Sequence, residues 1–288
     1  MPSVRLDDRG VVEVSGPEAR LFLDRLVTCD LDTIEVGGAR YGALLTPQGK
    51  ILADFVILAT GTDAFLLDAP AASVADLVKR LQLYRLRAKV TATDLSAAHQ
   101  VAAGWGDAQP PADAVAAAPD PRRPELGWRA VVRRNASPGE AGDQGSYHAH
   151  RIACGVPEAG RDFLLGDAFP HEALMDQLGG VDFRKGCYVG QEVVSRMQHR
   201  GTARTRIVRL RYPGVGPHSA AEVVAGERAL GRASDAPGAV GLGLIRLDRA
   251  GEALASGEPI RAGGQPVALD KPDWVRFAYP GEDAAAST

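Results

Sequence analysis

From Thr205 onward the chain is punctuated by glycine every few residues, with short apolar runs at Ala239 to Leu247, Pro259 to Arg261, Pro266 to Leu269 and Val275 to Tyr279. Glycine weakens helices and serves where the backbone must turn, so this stretch reads as short strands joined by tight turns, the pattern of a small β-barrel. Thr205 to Tyr212 supplies its first strand. The expected boundary falls near Gly201 to Arg206, leaving residues 1–203 as one region and 204–288 as the barrel.

The first region reads as α+β. Val4 to Leu6 and Val11 to Val14 are strands on either side of the turn Asp8-Arg9-Gly10, and a helix capped by Ser15 or Gly16 starts at Pro17, with Ala19, Phe22, Leu23 and Leu26 at i, i+3, i+4, i+7. Tyr41 to Thr46 and Ile51 to Ala59 flank Pro47-Gln48-Gly49-Lys50 and predict an antiparallel hairpin. A strand over Phe65 to Asp68, a helix carrying Val74, Leu77, Val78 and Leu81, and a strand near Val90 and Ala92 follow. Residues 106–146 read as a loop-rich insertion around one strand at Trp128 to Val132.

At 288 residues, the chain has room for two or three compact units. A formal net charge of −3 excludes a protein that coats nucleic acid with its whole surface. Apolar runs are too short to span a bilayer, and the start Met1-Pro2-Ser3-Val4-Arg5-Leu6-Asp7-Asp8 has no apolar leader, so a cytoplasmic protein without a membrane partner is expected. The three cysteines, Cys29, Cys154 and Cys187, form no C-x-x-C pair, which excludes a disulfide scaffold and a zinc ribbon; four thiolates for an iron-sulfur cluster are not present either. No permanently bound metal is expected. His148 and His150 would share a face of a strand, but no third ligand accompanies them, and they read as exposed loop residues.

Reactive groups are densest in Lys185-Gly186-Cys187-Tyr188-Val189-Gly190-Gln191-Glu192, which continues to Arg196 and Arg200. With Val189 to Met197 helical, Cys187 precedes the first turn and follows Arg184 and Lys185, and both influences favour thiolate. The plainer reading, a small buried hydrophobe, stands beside it. Gly186 and Gly190 permit positive φ or a close backbone approach, and Glu192 can accept from the paired N–H groups of a pterin or purine edge or simply favour a helix start. Arg184, Lys185, Arg196, Arg200, Arg204, Arg206, Arg209 and Arg211 face the single acid Glu192 in that stretch, an excess suited to a polyanion or to a solvated face.

This motif closely resembles the K-G-C-[FY]-x-G-Q-E-x-x-x-R signature of the YgfZ family of folate-binding proteins, relatives of the glycine-cleavage aminomethyltransferase. The similarity takes in Gly155-Val156-Pro157-Glu158, Phe169-Pro170-His171-Glu172 and the hairpin ending Leu52-Ala53-Asp54, and so covers most of the chain. It implies an aminomethyltransferase-like, multi-subdomain folate-binding fold with a C-terminal barrel. It further implies tetrahydrofolate or a derivative as cofactor, held by Lys185, Gly186, Tyr188, Gly190, Gln191, Glu192, Arg196 and Asp54 beside a functional thiol at Cys187; Arg85 joins this set on charge near a strand. The family's role is iron-sulfur cluster assembly or maintenance, with cluster enzymes or assembly factors as partners and effects on tRNA modification that are indirect. Where the aminomethyltransferase carries an Asp-Asp pair this chain has Ala53-Asp54, so folate binding without glycine-cleavage activity is expected. Two other readings remain, a folate-dependent aminomethyl or methyl transferase resting on Asp54, and a direct tRNA binder resting on the cations, whose only nearby aromatics are Tyr188 and Tyr212.

Overall fold

The computed structural model describes residues 3–135, 142–201 and 203–280. Strand β1 (Ser3–Leu6) and strand β2 (Arg9–Ser15) flank the expected turn yet do not pair, because they enter different sheets. Helix α1 (Ala19–Asp24) is shorter than its apolar spacing predicts: Glu18 occupies the N-cap without a side-chain bond, and Ser15 stays in β2, bonded to Thr91. There follow β3 (Ala39–Leu45), β4 (Ile51–Gly61), β5 (Ala64–Pro70), α2 (Val74–Arg85) and β6 (Thr91–Asp94).

These form a five-stranded antiparallel sheet in the order β3-β4-β5-β2-β6. Side chains alternate across a strand, and here the alternation decides everything that follows. Phe55, Ile57, Phe65 and Leu67 face α1 and α2 in one core, with Leu23, Leu77 and Leu81. Tyr41, Leu45 and Val56 face the other way, into a core completed by residues 152–194 of the chain.

A second sheet, β1-β7-β9-β8, adds β7 (His99–Gly104), β8 (Ala116–Pro119) and β9 (Trp128–Arg133) and packs on the same side through Val4, Leu6, Val101 and Val131. The predicted insertion is therefore more ordered than its composition implies: Ala116–Pro119 pairs with β9, and α3 (Gln144–Ala153) begins inside it, capped by Asp143 accepting from the Ser146 N–H. Residues 136–141 of that stretch lie outside the described residues. His148 and His150 are thus on a helix.

After α4 (Gln191–Arg200) the chain forms β10 (Thr205–Arg211), β11 (Ala221–Ala225), β12 (Arg228–Ala233), β13 (Val240–Arg246), α5 (Leu247–Ala255), β14 (Ile260–Ala262), β15 (Gln265–Pro266) and β16 (Ala268–Asp270). The seven strands run β15-β14-β11-β12-β13-β10-β16, a nearly closed barrel around Val208, Leu210, Val223, Leu230 and Ile245. Two readings need correction. Leu247–Ala255 is a helix whose Ala250 and Ala253 plug this core, and Val275 to Tyr279 packs as irregular chain instead of a strand. Among the described residues no helix is long and apolar enough to cross a membrane.

Candidate functional site

The Cys187 motif sits in a loop fastened to the segment after α1. The Thr28 hydroxyl donates to the Gly180 carbonyl at 2.5 Å and accepts from the Ala43 N–H at 2.9 Å, while the Asp182 N–H donates to the Thr28 carbonyl at 2.9 Å. Asp182 Oδ1 in turn accepts from the Arg184 and Lys185 N–H groups at 2.7 and 3.1 Å. Lys185 is the bolt. Its side chain is 2% exposed, and Nζ reaches Asp24 Oδ1 at 2.8 Å and the carbonyls of Asp24, Val27 and Cys29 at 2.6, 3.1 and 2.6 Å. An ammonium has three N–H donors, so none remains for a ligand, and the expected cofactor contact of Lys185 is replaced by a structural one.

Past the bolt the chain emerges. Gly186 has no positive φ, and a Cβ there would meet nothing within 4 Å, so it faces open space. Cys187 is exposed. Tyr188 turns back into the core, where burial pushes its phenol up to about 12 and its hydroxyl finds no partner among the described residues. Gly190 has φ of 82°, and a Cβ would lie 2.5 Å from the Thr46 carbonyl oxygen and 3.1 Å from Gly49 Cα. The close backbone approach expected of this glycine is therefore to the chain's own hairpin tip.

Gln191 opens α4, whose Val194 is buried and whose Gln198 bonds His171 Nε2 at 3.1 Å. Glu192 and Arg196 pair with each other at 2.6 Å on the solvent face, with 84% and 57% of their side chains exposed. They border the motif without enclosing anything.

The other two thiols differ. Burial in contact with Gly42 pushes the Cys29 thiol up to about 12, and burial raises that of Cys154. Cys29 is buried and Cys154 half-buried, whereas Cys187 is exposed.

Asp54 lies elsewhere, on the sheet face away from α1 and α2. It is 3% exposed; Tyr41 donates to Oδ2 at 3.0 Å, Oδ1 has no partner among the described residues, and burial pushes the carboxyl above its usual range. Ala53 points through the opposite face into the helix-side core. An acid at 53 would enter that core and stand on the opposite face of the strand from Asp54. Arg85 also stands on the helix side, at the end of α2, bonded to the Val90 carbonyl at 3.2 Å. The sheet separates it from Asp54, and the two cannot line one cavity.

Beyond Asp54 extends a buried ionic cluster that the sequence did not reveal. Arg129 joins Asp68 at 3.0 Å and Asp120 at 3.3 Å; Arg9 joins Asp68 at 2.5 Å and Glu158 at 3.4 Å; Arg122 grips Asp120 at 2.7 Å; Arg151 joins Asp162 at 2.5 Å and Glu158 at 3.1 Å. Four guanidinium groups thus meet four carboxylates with almost no solvent. Burying these ions is costly, and their mutual contacts recover part of that cost. Despite burial, Arg122 and Arg129 hold Asp120 down to about 2, and His148 together with Arg151, Arg9 and Arg129 holds Glu158 well below the usual carboxylate range. His148 lies between Glu158 at 3.3 Å and Asp8 at 3.4 Å. Their ligand atoms are close enough for a metal ion, but arginines 9, 151 and 161 already engage both carboxylates, and no metal is assigned. His150 is apart, stacked on Trp105 at 5.2 Å.

The cationic stretch is also largely spent internally. Arg206 pairs with Asp176 at 2.9 Å, and Arg209 and Arg211 share Asp270 at 2.9 and 2.7 Å. With Lys185 and Arg196 engaged as described, Arg184, Arg200 and Arg204 are left without an ion pair among the described residues. Five of the eight cations from Arg184 to Arg211 are thus engaged by carboxylates.

Comparisons with known proteins agree with this architecture. Residues 7–117 match the GCVT N-terminal domain, and residues 204–277 match the CAF17 C-terminal beta-barrel domain. The glycine cleavage system aminomethyltransferase T of Bartonella henselae superposes with a TM-score of 0.71 over 96% of this chain and 87% of that one, at 16% identity, which shows a shared fold. The chain is 33% identical to the human mitochondrial iron-sulfur cluster assembly factor IBA57 over 94% of its own length and 84% of the relative's. The mouse protein of the same name is 32% identical, over 85% and 77%. Against the Neurospora crassa homolog, 33% identical, the chain spans 56% of the relative's length. By these relationships the chain belongs to the IBA57 family of iron-sulfur cluster assembly factors.

Proposed function

We propose that this protein is an accessory factor in the assembly or maintenance of iron-sulfur proteins, working through the Cys187 thiol beside a bound tetrahydrofolate or derivative. The observation that carries the reading is the presentation of Cys187: one exposed thiol on a loop anchored by Lys185 before it and Tyr188 and Gly190 after it. The relatives' name supports the cluster role. Coordination to iron requires the thiol to lose its proton, and one thiolate supplies one of the four ligands such a cluster takes. The remainder come from a cluster-assembly partner, so Cys187 acts transiently. Effects on tRNA modification follow indirectly, through the cluster enzymes concerned, and the cytoplasm is the proposed compartment.

The residues present suit a folate. A pterin offers paired N–H donors, and Asp54 has a buried oxygen with no partner to receive one. Asp54, with Tyr41 beside it, would hold the ring edge, and the folate would supply a one-carbon unit or its acceptor. The raised Asp54 carboxyl also favours a second reading, a folate-dependent one-carbon transferase in which Asp54 holds a proton near the ring. Titration calorimetry with tetrahydrofolate on native and Cys187→Ala protein tests the first reading. Binding by both, with loss of cluster-enzyme activity in cells carrying only Cys187→Ala, supports it; absence of binding by native protein removes the folate. Folate-dependent turnover of a methylamine or aminomethyl donor, abolished in Asp54→Asn, would favour the transferase.

A further inference from the structure

Helix α2 has an inward and an outward face. Val74, Leu77 and Leu81 pack into the core beneath the first sheet. On the opposite side, Lys79 and Leu83 lie one turn apart on the exposed face of the helix, and Leu86 and Arg87 are exposed where the chain leaves it. Leu83 is 70% exposed and Leu86 85% exposed, the two most exposed large hydrophobic side chains among the described residues. Leu86 ends the helix at φ 48° and ψ −103°, in the positive-φ region where glycine is the usual occupant. A leucine held there, almost wholly in water, makes no contact that explains it.

Charge at this end is one-sided. Lys79, Arg87 and Lys89 have no ion pair among the described residues, while Asp76 pairs with Arg80 and Asp24 with Lys185; Glu18, which accepts from the Lys89 N–H, keeps its charge, and the cations outnumber it. The chain as a whole is negative, at −3. Cations are therefore gathered around two protruding leucines.

We propose that the C-terminal turn of α2 is a peripheral docking point for an anionic phospholipid surface, with Leu83 and Leu86 entering the headgroup boundary and Lys79, Arg87 and Lys89 meeting lipid phosphates. A protein partner fits less well. Two exposed leucines make a small apolar patch beside the roughly 800 Å² per partner of a stable protein interface. The cleft between α1 and α2, lined by Leu21, Phe22, Leu26, Tyr84 and Arg85, excludes both leucines. A lipid interface needs no matching concavity and takes protruding apolar side chains flanked by lysine and arginine. No spanning segment is involved, and the contact is reversible.

Co-sedimentation of the full chain with vesicles of phosphatidylcholine containing 30% phosphatidylglycerol (about a third anionic lipid, enough for a substantial surface potential) tests this. Binding is expected to the anionic vesicles, to weaken with added salt, and to be absent on phosphatidylcholine alone. Each Lys or Arg near such a surface is worth about 1 kcal/mol, roughly fivefold, so Arg87→Gln with Lys89→Gln should lower partitioning roughly 25-fold. Leu83→Ser with Leu86→Ser should lower it at least tenfold, with an unchanged melting temperature, whereas Leu164→Ser, at another exposed leucine, should leave it unaltered. No binding to anionic vesicles, or binding indifferent to Leu83 and Leu86, would overturn the proposal. Retention on immobilised polyglutamate without vesicle binding would overturn it in favour of an acidic protein partner.

Discussion

Lys185 and Arg129 are both buried cations, yet the regions around them are built to different ends. Lys185 meets one carboxylate and three backbone carbonyls, and it fixes a loop that returns to solvent two residues later at Cys187. Arg129 meets Asp68, Asp120 and Tyr147 inside a cluster whose members engage one another. Burial shifts groups in both regions, Cys29 near Lys185 up to about 12, but the strongly shifted ions Glu158 and Arg122 belong to the second. Perturbed titration often marks a functional site, but here it marks the mortar between two sheets, and the candidate thiol is found by its exposure. Asp54 connects the two descriptions, being buried like the cluster yet bonded by Tyr41 and without an ion pair among the described residues.

The comparison breaks most visibly at Arg129. Replacing it by Met leaves buried Asp68 and Asp120 short of a counter-charge, and about 3–5 kcal/mol of stability should be lost. Urea unfolding measures this, and a loss below 1 kcal/mol would mean the cluster is not the structural unit described. Lys185→Met should cost less, about 1.5–3 kcal/mol for its charged hydrogen bonds. It should also abolish support of cluster enzymes, although Cys187 is untouched.

Cys187→Ser sharpens the contrast from the other side: stability should stay within about 0.5 kcal/mol, as for exposed substitutions, while cluster-enzyme support disappears. Glu192→Ala, which removes an exposed pair, should change stability by no more than about 0.5 kcal/mol. The smallest effect concerns pH. Despite its burial, the His148 hydrogen bonds to Asp8 and Glu158 raise its pKa above 6.5, so its contribution is full below that value and declines as pH rises through the raised one. A shallow fall in melting temperature above pH 6.5, flattened in His148→Gln, is the expected signature.

Much of the fold could be read in advance because its signals are local. The hairpin around Pro47-Gln48-Gly49-Lys50, the stripe of Val74, Leu77 and Leu81, and the glycine-spaced strands of the barrel each depend on neighbours in sequence. Helix α5 escaped because Gly251 interrupts its stripe and the surrounding glycine pattern argued for strands. The motif itself was legible as a place, whereas the duties of its residues were not. Lys185 finds its acceptors more than 150 residues back, and Arg9 meets Glu158 across 149, separations that leave no periodic trace. One signal was available: Asp54 and Asp68 are acids in otherwise apolar strands, positions that demand a partner or a purpose.

Gly190 closes against Thr46 and Gly49, and Lys185 against residues 24–29, so the seat of the Cys187 loop lies far earlier in the chain than the loop itself. Contacts of such sequence separation form late in folding, after the loop entropy between them has been overcome. During synthesis the hairpin and α1 can be in place long before the thiol is made. A chain stalled before residue 185 would then own a finished platform with nothing to display, and a chain whose hairpin fails would expose its cysteine on a slack tether. Presentation of the thiol is in this sense a report that folding has finished.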